Sequence, residues 1–196
     1  INAVEQWVMT VQRIIDRCEA FISEMDFAFL YDNSRDLFYI GFNEDRSEAD
    51  SSTYDLLASE ARLASFIAIA KGDVPARHWF QLSRRLTAVN RSEILLSWGG
   101  TMFEYLMPLL FMRRYEGTML DETYDNVVEW HKNYGEQRKK PWGFSESAYF
   151  GLNIQLDYQY RTFGAPGLGL RRGLAEEYVV APYATMLALM INPASS

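Results

Sequence analysis

Three glutamates stand in surroundings where ionisable side chains are unusual. Glu60 lies in an alanine-rich segment, Glu104 is flanked by Phe and Tyr, and Glu146 lies in the aromatic run Trp-Gly-Phe-Ser-Glu-Ser. Charged residues are rarely placed among apolar ones unless they are paired or used. Burial raises the pKa of a carboxyl group, and two carboxyl groups flanking a glycosidic bond are the usual equipment for glycoside hydrolysis and transfer. These residues therefore indicate carboxylate chemistry.

A structural alternative stays open for each of these glutamates. A buried carboxylate can be paired with an arginine, and Arg62, Arg113 and Arg161 are candidates for that pairing. Backbone amide groups can also satisfy a buried carboxylate. Three glutamates in aromatic or apolar settings within one chain favour a functional role over three independent structural roles.

The aromatic residues near the glutamates favour a sugar as the ligand. The chain contains 12 Phe, 12 Tyr and 5 Trp. Aromatic faces pack against the C–H faces of pyranose rings, while carboxylates accept hydrogen bonds from sugar hydroxyls. Core packing accounts for many of these rings. Those beside Gly, Pro or polar residues are better placed to line a cleft, and they are Trp98, Trp142, Tyr149, Tyr158 and Tyr160.

Other chemistries find no matching residues. The lone cysteine, Cys18, cannot form an internal disulfide, and we expect it in the core on an amphipathic helix. Two histidines, His78 and His131, are too few for a zinc site, and a structural role is favoured for both. The glycine-rich run 164–173 fails the dinucleotide fingerprint, because Arg172 occupies the last glycine position. The sequence therefore predicts neither a metal nor a cofactor.

The composition is that of a folded chain with an acidic surface. Hydrophobic residues make up 48% and charged residues 23%, and the formal net charge is −7. An acidic surface argues against nucleic acid as a partner, because phosphate binding needs clustered Lys and Arg. No apolar stretch is long enough for a transmembrane helix and no secretory signal is visible, so we expect no membrane contact by this segment.

The periodicity predicts a mainly helical chain with short β-hairpins between the helices. Apolar residues recur at three- and four-residue spacing in most segments, whereas two segments read as strands around polar turns. We therefore predict an all-α fold with short inserted hairpins. The predicted helices cover residues 3–24, 53–71, 75–85, 101–114, 121–139 and 176–190; the hairpins cover 28–42 and 86–98, and a long loop covers 142–173.

Longer strings around the glutamates resemble the glucoamylase-like domain of cyclic β-1,2-glucan synthases. They include Tyr54-Asp-Leu-Leu-Ala-Ser-Glu60-Ala-Arg-Leu, Ser-Trp-Gly-Gly-Thr-Met-Phe-Glu104-Tyr and Pro-Trp-Gly-Phe-Ser-Glu146-Ser-Ala-Tyr. Further matching strings cover residues 158–170 and 179–185. The resemblance runs from about Phe29 to Asn192, which is most of the chain.

The resemblance implies a transglycosylation site built on two glutamates. Matched by motif, the nucleophile is Glu146 and the acid/base is Glu60, although the assignment of the two roles stays open. A pair that reacts directly with retention would have carboxyl groups about 5–5.5 Å apart, whereas relay through a substrate hydroxyl, or inversion, would allow about 6.5–9.5 Å. The matching strings also suggest sugar contacts by Glu104, Trp98, Tyr105, Trp142, Tyr149, Tyr160 and Arg161.

The same resemblance implies a fold and a cellular setting. The domain in that family is an (α/α)6 toroid, of which about six helices would form the N-terminal half. The family enzymes are large bacterial inner-membrane proteins, so this segment would lie on the cytoplasmic side. Its expected partners are the β-1,2-glucan chain, which the domain closes into a ring, and the other domains of the parent synthase.

Two other functions stay open at the sequence level. An endo-β-1,2-glucanase would use the same residues, and it would differ only in admitting water in place of a sugar acceptor. A glucan-binding or scaffold module would bind the chain without cleaving any bond. Product analysis separates the first alternative, and unchanged sugar binding by a Glu146→Gln variant without turnover in either protein would favour the second.

We treat residues 1–196 as one structural unit, and as a fragment excised from a larger domain. Apolar helix faces normally covered by the rest of that domain would then be exposed to solvent. Large exposed apolar patches drive association. The isolated fragment is therefore expected to self-associate or to be inactive.

Overall fold

The structure is a computed structural model that describes residues 2–89, 91–160 and 163–193. The side chains of residues 148–150 and 158–160 lie outside the described part. The α-helices are α1 (Ala3–Glu24), α2 (Arg62–Lys71), α3 (Arg77–Gln81), α4 (Met102–Leu106), α5 (Met119–Arg138) and α6 (Pro182–Ala188). The strands are β1 (Tyr31–Asp32), β2 (Leu37–Tyr39), β3 (Phe42–Asn43), β4 (Glu48–Ala49), β5 (Thr53–Tyr54), β6 (Leu86–Val89), β7 (Ser92–Leu95), β8 (Ala148–Leu152) and β9 (Tyr158–Tyr160).

The strands form small antiparallel sheets, so the all-α class predicted from the sequence is wrong. One sheet has three strands in the order β1-β2-β5, and the pairs β3-β4, β6-β7 and β8-β9 form two-stranded sheets. The chain is therefore mixed, with helices and strands alternating in short pieces. The hairpins β1-β2 and β6-β7 lie within the two segments predicted as strands.

Several helices are shorter than the periodicity predicts. The helix expected over 53–71 begins only at Arg62, because Thr53 pairs with Tyr39 in the sheet and removes its own segment from the helix. The helix ends where predicted, at Gly72, which adopts a left-handed conformation with φ 84°. The helix expected over 176–190 is confined to Pro182–Ala188, with Pro182 at its first position.

The main core lies where α4, α5, α6 and the β6-β7 hairpin meet. Met102, Tyr105 and Leu106 of α4 are completely buried there, as is Val127 of α5. The contacts of α5 with β7 and of α4 with α6 tie these elements together. A smaller cluster under the β1-β2-β5 sheet contains Tyr31, Phe38, Ala68 and Val74.

Helix α1 is amphipathic, but the described residues do not cover its apolar face. An Asn2–Glu5 capping box begins the helix, as expected for a stable N-terminus. None of its residues is buried, and Trp7 is 70% exposed. Cys18 is likewise exposed, so its predicted core position is wrong for this structure. The predicted self-association of the isolated chain stays a prediction, which sedimentation velocity can test.

The long segment 142–173 is more ordered than a loop. It contains the β8-β9 hairpin, and residues 163–171 then run alongside residues 97–99. The amides of Ala165 and Leu170 donate to Gly99 O and Ser97 O, both at 3.0 Å. A Cβ atom on Gly164 would lie 1.6 Å from Gly99 O, so the two backbones can approach this closely only because residue 164 is glycine. The glycine-rich run is therefore explained by backbone packing.

Candidate active site

Glu104 is the anchor of the loop that precedes α4. Its carboxylate accepts hydrogen bonds from Gly99 N at 2.8 Å, Thr101 N at 2.7 Å, Thr101 Oγ1 at 2.9 Å and Ser97 Oγ at 3.0 Å. Thr101 in turn caps α4 by accepting from Glu104 N, which completes a capping box. Burial raises the pKa of the Glu104 carboxyl, while the two amide donors act in the opposite direction. These contacts fix the turn that carries Trp98.

Glu104 and Tyr105 cannot offer an open surface to a sugar in this conformation. Glu104 is 5% exposed and Tyr105 is completely buried. The Tyr105 hydroxyl donates to Leu95 O at 2.7 Å, and Leu168 O lies 3.2 Å from the same hydroxyl. Burial raises the pKa of Tyr105. Glu104 is therefore a buried carboxylate satisfied by backbone amides and hydroxyls, which is the structural alternative raised in the sequence analysis. Both residues stabilise the loop that carries Trp98. Their direct sugar contacts stay predictions that would require the loop to open.

Arg62 cross-links the segment before α2 to α4 and α5. Its guanidinium donates to Ser59 O at 2.8 Å, to Glu104 O at 2.9 Å and to Tyr105 O. It also lies 3.3 Å from Tyr124 Oη. Its partners are thus oxygens of carbonyl groups and a phenol, so Arg62 does not pair with the Glu104 carboxylate. Burial lowers the pKa of Arg62, and the nearby negative charge of Glu60 opposes that shift.

Glu60 lies in the turn between β5 and α2, one residue before the N-cap of the helix. The sequence analysis placed it within a helix, and that placement is wrong for the reason given above. Ser59 holds the turn, because its Oγ accepts from Ala61 N at 3.2 Å and lies 3.3 Å from Glu60 Oε2. Glu60 itself is half-buried. Glu60 is therefore carried by a turn that Ser59 and Arg62 hold in place.

The segment 142–146 that carries Glu146 is docked on the N-terminus of α4. The first amide groups of a helix have no partner within the helix. Here Met102 N donates to Phe144 O at 2.9 Å, and Phe103 N donates to Ser145 Oγ at 3.2 Å. The same contacts that satisfy the helix therefore hold the residues just before Glu146.

His131 joins this segment to the turn beside Glu104. The ring is completely buried on α5, with Nε2 3.0 Å from Gly100 O and Nδ1 3.2 Å from Phe144 N. Since Phe144 N can only donate, Nδ1 must accept and Nε2 must carry the proton. Burial lowers the pKa of His131 to about 4, which keeps the ring neutral. A structural role for this histidine, as expected from the sequence, is what the structure shows.

The pKa of Tyr54 is affected by the charges of both candidate catalytic glutamates. It lies on β5 and is half-buried. Burial raises the pKa of Tyr54, and the negative charges of Glu60 and of Glu146 each raise it further. Charges act in this way only on groups near them. Both carboxylates therefore lie near the same phenol.

The predicted aromatic contacts fall into three groups. Trp98 is 57% exposed beside the Glu104 loop, so its indole face is open to a ligand. Trp142 is half-buried and packs on the main core, while its carbonyl lies 3.5 Å from Thr185 Oγ1. The backbones of Tyr149 and Tyr160 lie in the β8-β9 hairpin, their side chains lie outside the described part, and Arg161 lies outside the described residues.

Three residues of the site escaped the sequence analysis. The predicted helices 53–71, 176–190 and 121–139 contain Tyr54, Tyr183 and His131 respectively, but no pattern in the sequence gives any of the three a place in the site. His131 and Tyr183 act through partners between 13 and 38 residues away in the chain, and Tyr54 is linked to the glutamates through their charge. The available signal was that Tyr54 and Tyr183 both fall within strings shared with the glucan synthase domain.

The described residues contain neither a cluster of metal ligands nor a membrane-spanning helix. Within them, no cluster of three or more His, Cys, Asp or Glu side chains could hold a metal ion. No helix among them combines the length and the hydropathy needed to cross a bilayer.

A cavity of about 380 Å³ lies between α2, α3 and α5, lined by Trp79, Arg113 and Tyr115 among others, and neither Glu60 nor Glu146 borders it.

A protein-family model matches the part of the chain that contains Tyr54 and the three glutamates Glu60, Glu104 and Glu146. The family model named Glycoamylase matches residues 52–196, from just before Tyr54 to the end of the chain. The chain belongs to the glycoamylase family. Members of this family are carbohydrate-active proteins, which agrees with the exposed indole of Trp98.

A curated relative extends the similarity beyond the family match. The chain is 44% identical over all its 196 residues to the cyclic β-(1,2)-glucan synthase NdvB of Rhizobium meliloti (strain 1021). It spans 7% of the length of that relative. The resemblance inferred from the three glutamate motifs is therefore confirmed, and α1 and the first hairpin lie within the similar region as well.

Proposed function

We propose that this chain is part of a domain that closes linear β-1,2-glucan into rings by retaining transglycosylation. Glu146 is the nucleophile and Glu60 the acid/base. The domain works within a longer polypeptide on the cytoplasmic side of a bacterial inner membrane, next to the other domains of a glucan synthase. Similarity to the glucan synthase supports the substrate class, because the whole chain takes part in it.

The observation that carries the proposal is the similarity of the whole chain to a cyclic glucan synthase, and the nearness of Glu60 and Glu146 to the same residue, Tyr54, agrees with it. A pair of carboxylates can flank one glycosidic bond only if both face the same space. Their common influence on the pKa of one half-buried phenol supports that arrangement. Glu104, by contrast, has its carboxylate occupied by loop amides and hydroxyls, so it has no part in the proposed reaction.

The reaction proceeds in two balanced steps. In the first, a Glu146 carboxylate oxygen bonds to the anomeric carbon, the glycosidic C–O bond breaks, and the departing oxygen receives a proton from Glu60. The proton reaches that oxygen directly or through a substrate hydroxyl. In the second, the hydroxyl at the far end of the same chain bonds to the anomeric carbon, its proton returns to Glu60, and Glu146 leaves as a carboxylate. The product is a ring with its original anomeric configuration.

The rigidity of the Glu146 segment suits this chemistry. An attacking carboxylate must be held close to its reacting position, since a displacement of about 1 Å can lower the rate about 100-fold. The segment 142–146 is held by α4 through Met102 and Phe103, and by α5 through His131. Trp98, exposed on the neighbouring turn, supplies a flat apolar face for a pyranose ring.

Product analysis tests the proposal. The natural full-length polypeptide that carries these residues is incubated with linear β-1,2-glucan, and the products are separated by mass spectrometry. We expect rings that are one water lighter than linear oligomers of the same size. Glu146→Gln and Glu60→Gln should abolish them, whereas Tyr178→Phe, which removes a remote hydroxyl, should not.

The other outcomes have defined meanings. Linear fragments alone, lost in the same two variants, would identify a β-1,2-glucanase and would contradict ring closure. Glucan binding without any bond cleavage would identify a binding module. Wild-type turnover in the Glu146→Gln variant would remove that residue from the reaction.

A further inference from the structure

Tyr183 contacts the main chain of Glu146 directly. The residue lies in the first turn of α6, and its Oη is 2.8 Å from Glu146 O and 2.7 Å from Ser145 Oγ. Ser145 Oγ is in turn 3.2 Å from Phe103 N on α4. The rings of Phe103 and Tyr183 meet edge to face with centroids 6.4 Å apart. Two helices therefore converge on the residues at and before Glu146.

The directions of these hydrogen bonds follow from the groups involved. The Phe103 amide can only donate, so Ser145 Oγ accepts from it. Glu146 O can only accept, so the single proton of the Tyr183 phenol is committed to that carbonyl. The Ser145 hydroxyl is then left to donate to Tyr183 Oη. The result is a chain of three bonds in one direction, from Phe103 N through Ser145 and Tyr183 to Glu146 O.

We propose that Tyr183 is a positioning residue for Glu146, which it holds in register with α4 through this hydrogen-bond chain. The inference rests on the proposed role of Glu146 as the reacting carboxylate. Since hydrogen bonds in a chain polarise one another, the Tyr183–Glu146 bond is stiffer than an isolated phenol–carbonyl bond. The Glu146 carboxylate also lies close enough to Tyr183 for its charge to raise the pKa of the phenol, after the larger effect of burial.

The chain offers a matched control for this role. Tyr178 Oη donates to Pro141 O at 2.7 Å, so it makes the same type of bond to a carbonyl just before the segment 142–146. Pro141 lies five positions before Glu146, so its carbonyl is farther along the chain from the proposed nucleophile than the one that Tyr183 contacts. If Tyr183 served the fold alone, removal of either hydroxyl would have a comparable effect on catalysis.

The experiment compares single hydroxyl deletions in the natural full-length polypeptide that carries these residues, with linear β-1,2-glucan as the substrate. We expect Tyr183→Phe to lower kcat roughly 10- to 100-fold with KM little changed, because a small displacement of a reacting group costs this much. Tyr178→Phe should retain kcat close to that of the wild type. Ser145→Ala should have a smaller effect than Tyr183→Phe, because Tyr183 can still donate to Glu146 O.

A single-turnover measurement separates positioning from loss of folded protein. With enzyme in saturating excess over glucan, the observed rate constant does not depend on the fraction of enzyme that is folded. Tyr183→Phe should lower this rate constant as it lowers kcat. The double variant with Ser145→Ala should be no slower than Tyr183→Phe alone, because both changes break one chain.

The outcomes distinguish the inference from the function on which it rests. Equal single-turnover rate constants for Tyr183→Phe and Tyr178→Phe would overturn the positioning role, even if Glu146→Gln is inactive. Wild-type turnover by Glu146→Gln would instead overturn the proposed function, and the positioning role with it. An inactive Glu146→Gln, a slow Tyr183→Phe and a normal Tyr178→Phe support both.

Discussion

Protonation of His131 should destabilise the fold in mild acid, because the buried ring has no place for a second N–H. Nδ1 accepts from Phe144 N and Nε2 donates to Gly100 O. A proton on Nδ1 would face the amide proton of Phe144. The charged ring would also lie in a completely buried position. The folded chain therefore resists protonation that the unfolded chain accepts.

The size of the effect follows from the two pKa values. The pKa of His131 is lowered by burial from 6.5 to about 4. That difference corresponds to about 3 kcal/mol in the free energy of unfolding. Between these values the unfolded chain binds a proton that the folded chain does not, so stability falls as the pH falls. The contribution is fully retained above the unfolded pKa and fully lost below the folded one.

The assay is urea unfolding of wild type and His131→Gln, followed by circular dichroism at neutral pH and near pH 4. Glutamine can both donate to Gly100 O and accept from Phe144 N, but it does not titrate. We expect the variant to be less stable at neutral pH because it loses ring packing, and to lose about 3 kcal/mol less than the wild type on acidification.

His78 provides the matched control, because the chain has only two histidines. Its ring is also buried, with partners at Asp36 O and Ser65 Oγ, and burial lowers its pKa. His78→Gln should remove a separate part of the pH dependence and leave the His131 part unchanged. If His131→Gln lost as much stability between neutral pH and pH 4 as the wild type, the reasoning would be refuted.

Three further changes test the scaffold and the ligand face. Glu104→Gln should lower the free energy of unfolding by about 2 kcal/mol in urea titrations, because its NH₂ would face a buried donor; unchanged stability would contradict the anchoring role. Gly164→Ala should cost at least ~3 kcal/mol or prevent soluble expression, because its Cβ overlaps Gly99 O, whereas Gly167→Ala, at φ 87° with open space around it, should cost only ~1–2 kcal/mol in thermal melts. Trp98→Ala should weaken glucan binding about tenfold in calorimetry with little change in melting temperature; a large drop in melting temperature would assign the indole to the fold.

Local patterns predicted the elements whose determinants are local. Helix α1 was found because its apolar residues repeat at helical spacing. The β6-β7 hairpin was found from two β-prone runs around a polar turn. The start of α2 was missed, because leucines and alanines continue the helical pattern backwards from Arg62. The pairing of Thr53 with Tyr39 overrides that pattern, and no local signal reports it.

The candidate site divides in the same way. Unusual surroundings singled out Glu60, Glu104 and Glu146 from the sequence alone. The sequence could not separate Glu104 from the other two, because its partners are amides of its own loop whose directions depend on a tight turn. Nor could it tell that Trp98 is exposed and Tyr105 buried, although both lie close to Glu104 in the chain. These distinctions depend on how residues 163–171 pack against residues 97–99.

The most direct test of the account is to identify the residue that carries the sugar. A β-1,2-linked disaccharide with a fluorine at position 5 of the reacting sugar and an activated leaving group at its anomeric carbon would trap a glycosyl-enzyme in the natural full-length protein, because position 2 of that sugar carries the glycosidic oxygen. Peptide mapping by mass spectrometry would then locate the label. The account predicts that the label lies on Glu146 and is absent from Glu146→Gln. A label on Glu60 or on any other residue, or turnover of the reagent with inversion and no label, would contradict it.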